Sequence, residues 1–488
     1  MTNIPCMKRN IHPLPEKISW FDGSLILQGE VILRVGKGLE DDAVAAMFET
    51  LFGSFTSETV TLKIRRDPVL PLFCAAIGEI VPCIPGEEWC YGIRVDEQGA
   101  ALEARDMVGL RYAWYTFLQL LQRTGEEKTE GFALPHCDIR DRPAMKFRGI
   151  HLCLFPETPP DMIEKALTIA AFAKYNYVVF ESFGGLEMET IRSWKDVYCS
   201  KVVISPILEK ARVMGMEIIP MINSLGHATF SCDVIGKNMT LECNPHLLPY
   251  LEPYEYDWCI SNPATVKLLK AARAEMYEIC GSGEYFHMGG DESYFLATCD
   301  RCAAQPFLPL VTNYLNNMCE EICSEGRRPI MWSDMLLNRE EWECEPDEAV
   351  YANSSQERPT HLILPELDRR FVIADWQYDL VHGKEETGAY FKSQGFDTIL
   401  CPWKRPGNVE TLAKAAKKDK LEGVMLTTWS RLRDMFHTIV PTASLMWNSN
   451  QPSFIQPTII TTHLCRKLCP SGGEFLKSGW ANERALLD

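Results

Sequence analysis

Tyr285-Phe286-His287-Met288-Gly289-Gly290-Asp291-Glu292-Ser293 joins three signals in one short stretch. The apolar run reads as a buried strand, the paired glycines let the backbone turn sharply, and two acids come at once. Adjacent carboxylates at the end of a buried strand are costly to place without a purpose. Successive side chains of an extended chain diverge, so Asp291 and Glu292 take different partners. One touches a substrate group and the other the bond that breaks. The same residues also suit a helix start, with Asp291 as the cap and Glu292 facing the helix dipole. This stretch alone leaves both readings open.

Working outward, seven further apolar runs share its rhythm. Strands are expected at Phe147–Leu154, Tyr177–Phe180, Glu217–Met221, Tyr285–Met288, Pro329–Trp332, Phe371–Ala374, Thr398–Cys401 and Gly423–Leu426. Helical patterns such as Met162–Lys174, Pro206–Val213, Ala264–Ile279 and Leu310–Glu325 separate most of them. Eight βα repeats over roughly 300 residues predict an α/β fold, a (β/α)8 TIM barrel. An open doubly wound sheet is the alternative, but no GxGxxG succeeds a strand.

A barrel places functional side chains just past the C-terminal ends of its strands. Those positions hold Glu181, His227, Asp291, Glu292, Trp332, Asp334, Trp376, Tyr378, Trp403 and Trp429, while Arg148 and His151 lie on the first strand. Flat aromatic faces cover the C–H faces of a sugar ring, and acids with arginine bind vicinal hydroxyls bidentately. A single tryptophan is more often core than ligand. Four at equivalent places in successive repeats point to a sugar site. The rim has no HxH or HExxH spacing, so neither a metal nor another cofactor is expected there.

Ahead of the barrel, residues 1–140 read as a small α/β domain. Strand-like alternation runs over Ser24–Leu33, and Tyr91–Val95 with Ala101–Ala104 reads as a hairpin. Helices are expected at Asp41–Phe52 and Val108–Leu121, the second with one apolar face of Val108, Tyr112, Tyr115, Leu118 and Leu121. Prolines and charges over Pro135–Pro143 mark a boundary. The barrel then takes residues 141–470, and residues 471–488 form a tail.

The 488 residues suit two or three domains, and 46% hydrophobic with 24% charged content is that of a soluble globular chain. A net charge of -17 without a basic stripe argues against nucleic acid. No apolar run reaches a membrane span, and Lys8 and Arg9 precede no signal-peptide core. The nineteen cysteines then read as thiols in a reducing cytoplasm. Cys299-Asp300-Arg301-Cys302 is the one suggestive pair; with no second CxxC or paired histidines it reads as two thiols rather than a zinc site.

Taken in order, these pieces resemble glycoside hydrolase family 20, the β-N-acetylhexosaminidases, and most closely the hexosaminidase D-like branch. The matching phrases are Arg148-Gly149-Ile150-His151, Ile218-Ile219-Pro220 with Gly226-His227, His287-Met288-Gly289-Gly290-Asp291-Glu292, Trp332-Ser333-Asp334-Met335-Leu336, Trp376-Gln377-Tyr378-Asp379 with Val381-His382-Gly383-Lys384, and Thr428-Trp429. Val108-Gly109-Leu110-Arg111-Tyr112-Ala113 is similar to a phrase of the small domain that often precedes this barrel.

The resemblance implies an exo-acting enzyme on terminal β-linked GlcNAc or GalNAc, using the substrate's own acetamido oxygen as nucleophile. It implies Glu292 as general acid and base, its carboxyl held protonated by desolvation or by the neighbouring charge of Asp291. Asp291 would orient the acetamido group and Arg148 would hold ring hydroxyls. Trp332, Trp376 and Trp429 would wall the pocket, with His227 behind the acids. Departures fall at Met221 and Asn223, where relatives carry an acid, at Cys401-Pro402-Trp403-Lys404, where they carry Tyr and Asp, and at Trp429-Ser430-Arg431 in place of Trp-x-Glu. Tyr378 is the stand-in for the missing tyrosine. His287 reads as a buried strand residue. Tyr250, Tyr254, Tyr256 and Trp258 read first as pins for their loop and second as leaving-group contacts. The partner expected is a carbohydrate, an N-acetyl-hexosaminide. The sequence leaves the oligomeric state open, a homodimer being allowed for. A silent sugar-binding barrel and a glycosidase pairing Glu292 with Asp334 or Glu181 are the competing readings.

Overall fold

The computed structural model describes residues 11–124, 131–155, 158–192, 199–229, 241, 243–342, 350–381, 385–448, 464 and 467–468. The tail over 471–488 and the His382-Gly383-Lys384 phrase lie outside them. The first unit is an eight-stranded sheet of β1 (Lys17–Leu27), β2 (Glu30–Val35), β3 (Thr61–Arg66), β4 (Ala75–Gly78), β5 (Tyr91–Asp96), β6 (Gly99–Ala104), β7 (Gln122–Thr124) and β8 (Gly131–Asp141). The strand order is β1-β8-β5-β6-β4-β2-β3, with β7 on β8. Two helices pack on it, α1 (Asp42–Thr56) and α2 (Met107–Leu120), capped by the carboxylates of Asp41 and Asp106.

Two expectations for this unit change. Helix α2 does not have one buried face: Tyr112, Trp114, Tyr115 and Phe117 are all buried. It is sandwiched between the sheet and the barrel, where the Tyr115 hydroxyl donates to the Met214 carbonyl at 2.7 Å. The proline-marked boundary stretch is strand for most of its length. β8 continues through Asp141, with Pro135 opposite Ser24 beside a bulge that spares its missing N–H, and the chain leaves the sheet only at Arg142.

The barrel keeps the expected pattern. Strands β9 (Phe147–Leu154), β10 (Tyr177–Ser182), β11 (Glu217–Met221), β12 (Tyr285–His287), β13 (Arg328–Trp332), β14 (Val372–Asp375), β15 (Asp397–Leu400) and β16 (Gly423–Leu426) close in a parallel ring, β16 pairing β9. Side chains alternate between the ring's interior and its helix-facing outside. Phe147, Val179, Ile219, Tyr285, Ile330, Val372, Ile399 and Met425 fill the interior, and Trp332, Trp376 and Tyr378 lie in the same cluster. Outside, helices such as α3 (Pro160–Phe172) and α4 (Lys201–Val213) bury apolar faces against the strands. No helix among the described residues is long and apolar enough to cross a membrane.

That alternation removes Arg148 from the site. Phe147 and His151 face inward, so Arg148 faces outward with Ile150. Its guanidinium donates to the carbonyls of Lys174 (2.9 Å) and Met145 (2.7 Å) and to the Tyr112 hydroxyl (2.7 Å), and it lies 5.2 Å from the Trp447 ring. It joins barrel to sheet and holds no sugar hydroxyl. Beside it, fully buried Lys174 pairs with fully buried Asp141 at 3.3 Å, and Tyr91 and the Trp447 indole N–H donate to the same carboxylate. Burial pulls the Lys174 ammonium down to about 8, while Asp141 pulls the other way. The Trp447 ring lies 4.4 Å from that ammonium.

Lys174→Met is therefore expected to destabilise the protein by about 3–5 kcal/mol, because it strands a buried carboxylate. Adding Asp141→Asn should recover part of the loss. Urea unfolding of the two variants measures this, and equal stability of Lys174→Met and wild type would show that the pair carries no weight.

Candidate active site

β12 ends at His287, and the chain turns at Gly289 (φ 72°) and Gly290 (φ 96°). Only glycine fits the first turn, since a Cβ there would stand 2.2 Å from Asn223 Oδ1. No helix starts here; the residues after Glu292 form turns, so the helix-cap reading of the acids falls. Glu292 itself sits at φ 49°, a left-handed conformation that costs about 1–3 kcal/mol for a residue with a side chain. Its N–H donates to Asp334 Oδ2 at 2.9 Å, which holds it there. The loop after β11 presses on the same turn, because a Cβ on Gly226 would meet the Asp291 carbonyl at 2.6 Å.

This twist separates the two carboxylates. Asp291 is buried, its side chain 9% exposed, whereas the Glu292 side chain is 30% exposed at the mouth. His227, itself at φ 54°, stands between them: Nε2 lies 3.3 Å from Asp291 Oδ2 and 3.1 Å from Glu292 Oε2. Burial opposes a charge on this imidazole, but the two carboxylates outweigh it and raise its pKa well above the usual histidine range. The Tyr256 hydroxyl lies 3.0 Å from His227 Nδ1, and Tyr294 donates to Glu292 Oε1 at 3.0 Å.

The expected elevation of the Glu292 pKa is not found. Burial raises it, but hydrogen bonds from His227 and Tyr294 with the His227 charge bring it below the ordinary value. Burial raises Asp291 instead, with His227 opposing. His227 is thus raised and Glu292 lowered by the same contact, one hydrogen bond apart.

Supporting groups complete the floor. Fully buried Glu181 lies 2.7 Å from His151 Nε2 and accepts from Asn223 Nδ2 at 2.7 Å. Fully buried Asp334 accepts from Asn353 Nδ2 (2.7 Å) and the Trp376 indole (3.0 Å) besides Glu292; burial and Asp291 push it up to about 7. Aromatic rings form a continuous wall: Tyr351 and Trp376 at 4.6 Å, Trp376 and Tyr378 at 5.2 Å, Tyr378 and Trp403 at 5.5 Å, His151 and Trp429 at 4.5 Å, Trp332 and Trp429 at 5.8 Å. The Trp429 indole donates to the Tyr378 hydroxyl at 2.5 Å. Six polar atoms here are buried without a hydrogen-bond partner among the described residues: Asp291 Oδ1, Trp332 Nε1, Trp403 Nε1, Asn223 Oδ1, His151 Nδ1 and His287 Nε2. Such atoms are costly unless a ligand completes them.

Of the residues singled out in the sequence, all but Arg148 come to this end of the barrel. Glu181 and Asp334 are fully buried, their oxygens taken up by His151 and Asn223 and by Glu292, Asn353 and Trp376 respectively. His287 is buried against Trp332 at 4.4 Å, burial holding its pKa well below normal. Tyr256, expected first as a loop pin, holds His227. Trp258 is a pin, its indole donating to the Asn223 carbonyl at 3.0 Å, and Tyr254 is 67% exposed against Phe295. Sequence reasoning does not reach the roles of His151, Tyr294, Tyr351 and Asn353. For His151 the signal is present, three positions beyond Arg148 in the same phrase.

Comparisons with known proteins bear on the family and the fold. The family model described as glycosyl hydrolase family 20, catalytic domain, matches residues 159–439. A lacto-N-biosidase of Bifidobacterium bifidum is 24% identical over 381 residues, covering 72% of this chain but only 32% of its own length. The β-hexosaminidase subunit beta of Mus musculus is 22% identical, covering 72% of this chain and 70% of its own. Among solved structures, a Flavobacterium johnsoniae chitobiase superposes with a TM-score of 0.71 at 16% identity, over 96% of this chain and 73% of that one. A Bacteroides fragilis β-N-acetylhexosaminidase superposes at 0.64 and 18%, over 96% of each chain. At such identities the structural likeness speaks for the fold.

The site's charge arrangement has a direct readout. His227 should titrate with a midpoint above about 6.5, and Glu292→Gln should lower that midpoint by removing one of its two anions. Its stabilising effect is full below the unfolded value and is lost as pH rises through the folded one. Nitrogen-15 NMR of the imidazole reports the midpoint, and an unchanged value in Glu292→Gln would break the contact.

Proposed function

The chain belongs to glycosyl hydrolase family 20, and we propose that it is an exo-β-N-acetylhexosaminidase working with retention through the substrate's own acetamido group. The observation that carries this reading is the buried, unpartnered Oδ1 of Asp291 at the aromatic-lined end of the barrel. An acceptor so placed suits an amide N–H, the group that a 2-acetamido sugar brings. As the acetamido oxygen attacks the anomeric carbon, positive charge builds on that nitrogen, and Asp291 stabilises it. Trp332, Trp376 and Trp429 confine the group.

Glu292, nearer the mouth, protonates the departing oxygen and then draws a proton from the incoming water. Its depressed pKa requires a supply of protons, which His227 provides across 3.1 Å. Arg148 takes no part. The hydroxyls of the ring fall to other groups, with Trp403 Nε1 an open donor on the wall. Tyr378, its hydroxyl already ordered by Trp429, is the candidate to hold the acetamido oxygen. The hexosaminidase D-like branch and a cytoplasmic setting belong to the same proposal. Every described cysteine is a free thiol, which favours a reducing compartment.

A mechanism with a carboxylate nucleophile fits poorly. Glu181 and Asp334 are fully buried and their oxygens are committed to His151, Asn223, Asn353, Trp376 and the Glu292 N–H, so neither reaches an anomeric carbon. A silent sugar-binding barrel leaves the strained Glu292 backbone without a purpose.

Nitrophenyl GlcNAc and GalNAc should be cleaved, and their non-acetylated parents should not, with thiazoline mimics of the cyclised intermediate inhibiting. Glu292→Gln should lower turnover by about 10²–10⁴. Full activity in that variant would remove Glu292 as the acid, and covalent trapping of a fluoro-sugar on a carboxylate would refute help from the acetamido group. His227→Gln should move the alkaline limb of kcat/KM to lower pH, because the proton is then lost from Glu292 rather than from the raised imidazole. An unshifted limb would refute the proton supply.

A further inference from the structure

We propose that Cys259, Cys299, Cys302 and Glu252 bind one zinc ion that ties the loop after β11 to the loop after β12. The four side chains offer ligand atoms that all lie within 4.8 Å of one another. Cys259 Sγ is 3.5 Å from Cys299 Sγ and 3.7 Å from Cys302 Sγ, and Cys302 Sγ is 3.2 Å from Glu252 Oε1. Around a tetrahedral zinc with Zn–S bonds of about 2.3 Å, sulfurs stand roughly 3.8 Å apart. The observed spacings are close to that and far from the roughly 2.05 Å of a disulfide.

The cluster is largely enclosed and its polar neighbours are ordered. Cys259, Cys302 and Glu252 are buried. Backbone N–H groups of Cys302 and Ser261 point at the sulfurs of Cys299 and Cys302, and the Ser261 hydroxyl stands 2.9 Å from Cys302 Sγ. Glu252 is oriented for its role: Oε2 accepts from the N–H groups of Thr298 (2.8 Å) and Cys299 (2.6 Å), which leaves Oε1 turned to the sulfurs. As plain thiols these groups would gain little, because S–H is a weak donor. The Cys299 and Cys302 pair, insufficient for a zinc site by its spacing, is completed by Cys259, forty positions upstream, and by a carboxylate that no spacing rule includes.

The position gives the ion a structural task. Tyr256, which holds His227, lies between Glu252 and Cys259, and Tyr294, which holds Glu292, lies just before Cys299. The Phe295 N–H also donates to Asp257 Oδ2 at 2.9 Å, and the Tyr256 and Tyr294 rings stack at 6.1 Å. Zinc would lock together the two loops that set the spacing of the acids and their histidine.

Untagged full-length protein should carry about one equivalent of zinc by plasma mass spectrometry. Cys259→Ser and Cys302→Ser should lower this at least about tenfold, while Cys83→Ser, at an exposed thiol, keeps it. Cobalt added to chelator-stripped protein should give a thiolate charge-transfer band. Were the serine variants unable to fold, the wild-type cobalt spectrum still decides. Wild type without zinc and without that band, zinc content equal in all variants, or an intact mass two hydrogens short with a Cys259 disulfide would each overturn the proposal.

Discussion

Two negative charges on consecutive residues repel, and the loop after β12 must nevertheless hold both beside one side chain. The imidazole of His227, 3.3 Å from one carboxylate and 3.1 Å from the other, makes that arrangement tolerable. Much of the surrounding structure serves it. Gly226 lets the β11 loop approach the Asp291 carbonyl, Tyr256 orients the ring, and Asp334 grips the Glu292 N–H so that the acid keeps its left-handed backbone. The acids diverge into different surroundings, and their ionisation diverges with them: burial raises Asp291, while His227 and Tyr294 lower Glu292.

Much of the fold is legible because a barrel writes its period into the chain. All eight strands, the acid pair and the tryptophans on the rim can be read from the apolar runs and the residues just beyond each run's end. Arg148 shows where that reading stops. Spacing places a residue on a strand, but the face it presents depends on the pleat, and one position separates the cavity-facing His151 row from the outward row of Arg148 and Ile150. Helix α2 misleads for a related reason. Its one apolar stripe is plain, but the second partner that buries its other side lies a hundred residues away at Met214.

The state of charge is harder still. That Glu292 needs a proton is dictated by the chemistry, but whether the carboxyl or a neighbour holds it depends on distances of a few tenths of an ångström. His227 comes from a different loop, and nothing in local sequence says that its Nε2 touches both acids. Glu252 and Cys259 are the same problem at a second place, where groups from two loops meet only in three dimensions.

The junction between sheet and barrel carries Asp141, Lys174 and Arg148, buried among Tyr91, Tyr112 and Trp447. Opposite charges meet across the seam, Asp141 coming from the sheet and Lys174 from the barrel. A recombination event that paired this barrel with an unrelated leading module would bury an orphaned cation at the graft. The leading sheet and the barrel are thus electrostatic complements of each other across the seam.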